Sequence, residues 1–329
     1  MEHIPETHIR SNLSEEEKEN FRKERDYYLM GQGEVINKEM FKTLNKLGRE
    51  KTQQEIIAIE IANEQSNKLL TKFGLQPFNI PTDNYYILPD EILGFGKNNP
   101  AGAFPRYNLC LFRDTEAGLN PVIFGCFAFH ETLHLKNYLS FKQQQKNDGL
   151  RIYRAGISIS TSQKNKGKIP KVYLRGLDEA ITTKMNEEYL SILLQHPEFK
   201  KEAEWWKSME CNLLKKDYTK DKKIFESEIF WIEPSNKEIF ALAHTLERRL
   251  LDYICSEIHK KKPDKYPSEK DVFTEFQRAQ ITGNILTIAR DITHTFGKGS
   301  FRKIASYPED WRLKIHFEAL KLKRKINKS

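Results

Sequence analysis

"FAFHETLHLKNY", Phe127 to Tyr138, places His130 and His134 four positions apart, with Glu131 beside the first, inside an otherwise apolar run. On a helix, residues four apart lie nearly above one another, so both imidazoles can point at one ion. Glu131 then sits about 100° round the same turn, beside such an ion rather than on it. A carboxylate placed there can take a proton from water and later hand it to a leaving group. The stretch just before, "VIFGCFAF" (122–129), is apolar enough to bury the helix. Two histidines in a core carry a desolvation penalty unless they bind something or are hydrogen-bonded. The two variable positions of H-E-x-x-H are Thr132 and Leu133, both uncharged.

A catalytic site built on two histidines needs one more protein ligand and an open position, and His2Glu is one such set. "RGLDEAITTKM" (175–185) supplies Glu179, 45 positions after His134. It opens a helix that follows a strand region. "LDEAIT" after H-E-x-x-H resembles the N-E-x-x-S/T signature of the gluzincin clan of zinc metallopeptidases, the thermolysin-like group, over about residues 100–190. The resemblance implies His130, His134 and Glu179 as zinc ligands and Glu131 as general base. Three positions depart from the family. Asp178 stands where an asparagine is usual. Thr183 stands where thermolysin-like enzymes carry an aspartate that orients the first histidine, and Lys136 is more polar than the family's residue.

The family also uses a tyrosine or histidine to stabilise an oxyanion. Tyr173, on the strand leading into the Glu179 helix, is the candidate here, with Tyr153 and His294 as lesser rivals. His3, His8, His196, His244, His259 and His316 show no partner pattern and read as surface residues.

Around this centre the pattern predicts α+β architecture: a small antiparallel or mixed, zincin-like sheet packed on the H-E-x-x-H helix and the Glu179 helix, with large helical additions at both ends. The expected divisions are an N-terminal helical arm (1–75), a catalytic domain (76–195) and a helical C-terminal region (196–329). Helices are expected over 14–30, where "SEEE" opens with a cap and acids, and over 37–73, as one helical pattern stopped by Gly74 and Pro77. "AFPRYNLCLFRD" (103–114) reads as a strand. An extended substrate is expected to pair along 104–112. "LRIYRAGISIST" (150–161) and "KVYLRG" (171–176) read as the arms of a hairpin joined by "SQKNKGKIP". From Pro197 onward the expectation is helical throughout, notably 234–262, 268–295 and 307–325, with a turn at Gly297 and Gly299.

The chain has 329 residues, 38% of them hydrophobic and 30% charged, enough for a sizeable core and too apolar for a disordered chain. Mean hydropathy is −0.68 and the longest apolar run, Ile123 to Phe129, is far too short to span a bilayer, so no membrane partner is expected. The opening "MEHIPETHIRSNLSEEEKEN" has neither a basic n-region nor an apolar h-region, and a cytoplasmic location is the expectation. Four cysteines lack any C-x-x-C pair and are expected as reduced, mostly buried thiols.

The net charge of +8 and the basic clusters at 215–223, 259–265 and 320–329 raise nucleic acid as an alternative partner to a peptide or protein substrate. Interleaved acids favour plain solvated helix ends instead. The alternative to a zinc peptidase is therefore a nucleic-acid or protein-binding scaffold with a structural or degenerate zinc site. Oligomeric state is not legible.

Overall fold

The computed structural model describes residues 36–89, 101–105, 108–114, 120–143, 150–160, 172–222 and 226–306. The expected helices at 14–30 and 307–325, the loop at 162–170 and the basic tail lie outside them. The fold is mixed α+β, helix-rich with small sheets. The described chain forms two compact units, one ending at Lys136 and resuming over Met185–Ala243, the other made of Asn137–Lys184 and the chain from His244.

In the first unit the helical pattern expected over 37–73 is two helices, α1 (Ile36–Leu47) and α2 (Gln53–Lys72). The break has a local cause. Gly48 N–H donates to Leu44 O at 2.8 Å and Arg49 then bridges to Ile87, ending α1. Thr52 and Glu55 form a capping box that starts α2, Thr52 N–H donating to the Glu55 carboxylate at 2.7 Å.

Three strands follow: β1 (Tyr85–Leu88), β2 (Ala101–Phe104) and β3 (Leu109–Arg113), ordered β1-β3-β2, with β1 parallel and β2 antiparallel to β3. The single strand expected at 103–114 is thus two. Proline at 105 cannot continue a ladder, and the left-handed Asn108 (φ 51°) returns the chain. The expectation that 104–112 offers an edge for an extended substrate is also corrected, because β3 is the middle strand and both its sides are paired.

The H-E-x-x-H run is helix α3 (Pro121–Lys136). It is buried nearly all round, as an apolar helix should be. Only Pro121, Phe127, His130 and His134 keep partial exposure, and the last three share one stripe at i, i+3, i+7.

Gly125 brings α3 close to its neighbours. A Cβ there would stand 3.2 Å from the Ala58 Cβ of α2 and 2.8 Å from Leu193. Gly125→Val is therefore expected to destabilise by about 1–3 kcal/mol through overpacking, measured as a lower denaturation midpoint at unchanged slope. An unchanged midpoint would show that the contact yields freely. Leu193 ends helix α4 (Arg175–Leu193), whose residues 185–193 belong to this unit. There Tyr189 stacks on Phe129 at 4.3 Å and donates to Ala58 O at 2.9 Å.

Helices α5 (Lys200–Lys207) and α6 (Met209–Lys222) precede an antiparallel hairpin, β8 (Ile229–Ile232) with β9 (Ile239–Ala241). The all-helical expectation after Pro197 is corrected here. "IFWI" is a four-residue apolar run buried along its whole length, which periodicity cannot distinguish from a buried helix turn. Trp206 stacks on Trp231 at 5.5 Å, and Trp205 Nε1 donates to Ile232 O at 2.6 Å.

The second unit holds an antiparallel sheet in sequential order: β4 (Leu139–Gln143), β5 (Leu150–Ala155), β6 (Ser158–Ser160) and β7 (Val172–Tyr173). The stretch read as one hairpin arm, 150–161, itself folds back at Gly156 (φ 56°), and only its second half pairs with β7. Glycine is required twice over at this position. Its φ is left-handed, and a Cβ would run into the Asp178 carboxylate. That carboxylate accepts from Ile157 N–H at 2.9 Å and from Gln280 Nε2 at 3.1 Å, tying the hairpin turn to the first turn of α4.

Four helices complete the unit: α7 (Thr245–Lys261), α8 (Glu269–Thr282), α9 (Leu286–Phe296) and α10 (Ser300–Ala305). Helix α7 starts at Thr245, not near 234, and the helix expected over 268–295 is split at Gly283 (φ 76°). Asp291 of α9, only 3% exposed, accepts from Lys262 at 2.5 Å, Lys265 at 2.8 Å and Tyr266 at 2.6 Å. Burial pushes its pKa up, but these three donors together hold it below the usual carboxylate value.

A depressed folded-state pKa contributes stability that is complete above the unfolded carboxylate pKa and is lost as pH falls through the folded one. Asp291→Asn should therefore cost about 3 kcal/mol at neutral pH, with the deficit shrinking as the pH drops below the ordinary carboxylate range. Urea denaturation of both proteins across that range checks it, and an equal deficit at every pH would contradict it. All four cysteines are buried and unpaired, as expected. Among the described residues no helix is long and apolar enough to cross a membrane.

Candidate metal centre

His130 and His134 occupy the single stripe of α3 that is not fully buried. Their Nε2 atoms stand 3.0 Å apart and their ring centroids 4.7 Å apart. The helix itself is fixed from its other sides. Thr132 donates back to Ala128 O at 2.6 Å and its hydroxyl meets the Tyr85 hydroxyl of β1 at 2.7 Å. At the C-terminal end Lys136, fully buried, donates to Asn67 Oδ1 at 2.8 Å and to Asn63 O at 3.3 Å on α2, above the Phe78 ring. Burial pulls its pKa down to about 7. Lys136 is thus a buried strut that anchors α3 to α2.

Glu131 is 8% exposed and lies close enough to Cys110 of β3 to be felt there. Burial drives that thiol pKa well above its ordinary value and the nearby carboxylate adds to the rise. Glu179 lies in the second turn of α4, 18% exposed. Donor atoms of His130, His134 and Glu179 all fall within 4.8 Å of one another, so the three residues can hold a metal ion. Two imidazole nitrogens and one carboxylate oxygen form a donor set that suits zinc and its neighbours among the transition metals. Comparison with protein-family models, with curated proteins and with solved structures finds no match.

The remaining sequence-derived residues fall as follows. Tyr173 is half-buried on β7, opposite Ile159. Tyr153 is half-buried on β5 and His294 is exposed on α9. Thr183 is buried, and its hydroxyl has no hydrogen-bond partner among the described residues.

Of the histidines that the sequence reads as surface residues, His196, His244 and His259 are half-buried, and His244 stands beside Glu179. Its Nε2 lies 3.9 Å from Glu179 Oε2 and its Nδ1 3.4 Å from Glu247 Oε1. The only local signal is the H-x-x-E spacing of His244 and Glu247, which is that of a helix start. Nothing in it points 65 residues back to Glu179.

Proposed function

We propose that this chain is a zinc-dependent metallopeptidase of the gluzincin type. The observation that carries the reading is the convergence of His130, His134 and Glu179 within 4.8 Å, with Glu131 in the helix turn between the two histidines. H-E-x-x-H with a downstream glutamate resembles the gluzincin pattern, and a small mixed sheet, β1-β3-β2, lies against the helix that carries it, β2 packing on α3.

A zinc ion held by these three residues would polarise a substrate carbonyl and lower the pKa of water. Glu131 is the group that takes the proton from the attacking water and passes it to the leaving amine. Tyr173 is proposed as hydrogen-bond donor to the developing oxyanion. The substrate backbone would add to the outer side of β2, which no described strand pairs, and not to β3.

Turnover of a quenched peptide library by the purified chain, with and without a chelator, tests the reading. Chelator-sensitive hydrolysis is expected, and hydrolysis that survives complete metal removal would contradict it.

A further inference from the structure

His244 is the one residue before α7, and its backbone is left-handed (φ 56°, ψ 35°). A non-glycine residue in that region is strained by about 1 kcal/mol or more, and such strain concentrates where function holds it. The usual reason for a polar residue at this position is a side-chain cap on the helix, and His244 makes none. Its ring is turned instead to two carboxylates, Glu247 in the first turn of α7 and Glu179 on α4.

At 3.9 Å the Nε2 that faces Glu179 is within ion-pair range but outside direct hydrogen-bond distance, and a carboxylate, which only accepts, is matched there by an Nε2–H. Glu247, 14% exposed, stands 3.4 Å from Nδ1 on the other side of the ring and it too only accepts, so both contacts are made together by a ring that carries a proton on each nitrogen. Arg175 also approaches Glu179, at 3.9 Å, but it is 54% exposed, one turn earlier on the same helix. A flexible, solvated guanidinium holds a carboxylate loosely.

We propose that His244 is a positioning residue of the metal centre. Anchored by Glu247, it holds one carboxylate oxygen of Glu179 so that the other stays aimed at the ion. This rests on the reading of His130, His134 and Glu179 as metal ligands. Outer partners of this kind fix ligand orientation, and their loss typically weakens metal affinity by about 10- to 100-fold.

The test is direct titration of the metal-free full chain with Zn2+ and Co2+ in wild type, His244→Gly and His244→Gln. His244→Gly removes the ring and relaxes the left-handed backbone, so the metal-free protein should melt no lower than wild type while its metal Kd rises by about 10- to 100-fold. His244→Gln keeps an N–H of similar reach and should restore most of that affinity. The visible spectrum of the Co2+ forms should keep its band intensities, since His244 is not a ligand. Wild-type affinity in His244→Gly, or equal weakening in both variants, would overturn the proposal. So would a changed Co2+ spectrum, which would make His244 a ligand. Wild type that binds neither ion would remove the metal centre itself, a failure separable from these.

Discussion

Glu131→Gln is expected to leave zinc bound and the fold intact while peptide hydrolysis falls by several orders of magnitude. The amide matches the carboxylate in size and sits at a position only 8% exposed, so packing around α3 is preserved. What the amide cannot do is accept a proton from water at neutral pH. A mutation that leaves binding in place and lowers kcat and kcat/KM equally has removed an interaction made only in the transition state. The measurement is turnover of the peptide library by both proteins at equal zinc occupancy. Equal turnover would show that Glu131 is only a carboxylate on a structural helix.

His130→Ala and His134→Ala should each abolish stoichiometric metal, because two remaining ligands do not make a closed site. Their effect on stability separates metal binding from packing. An ion that binds only the folded chain stabilises it by RT ln(1 + [L]/Kd), about 4 kcal/mol at a thousandfold excess over Kd. Wild type should therefore melt at a markedly lower temperature once a chelator is added. Neither variant should respond to the chelator, and both should melt close to chelated wild type, since both side chains lie on the partly exposed stripe and leave no cavity in the core. Metal content unchanged in both variants would remove the centre.

The H-E-x-x-H helix was legible because its chemistry and its helical spacing lie within five consecutive residues, and Glu179 was found because it opens an equally plain helix. Strand breaks were less visible. Pro105 and Gly156 each turn what reads as one β run into two, and both sit inside otherwise continuous β-favouring stretches. Gly156 in particular is dictated by a tertiary approach, the Asp178 carboxylate, that no local pattern announces. "IFWI" was lost in helical surroundings because a wholly buried short strand has no alternation to show. The Thr52/Glu55 cap that splits the first long helix is present in the sequence as "TQQE", but the helical periodicity on either side of it masks the break. His244 was beyond reach, since its significance depends entirely on which residue its ring meets.

The metal content of the purified chain, measured in wild type and in Glu179→Ala, tests the central claim most directly. Of the three donors only Glu179 lies outside the H-E-x-x-H run, so it alone reports whether the fold assembles the set. One zinc per chain in wild type, lost in Glu179→Ala while the variant stays folded, is the result expected of a His130–His134–Glu179 centre. Wild type purified and reconstituted without stoichiometric zinc, or a Glu179→Ala variant that retains it at wild-type affinity, would contradict that centre.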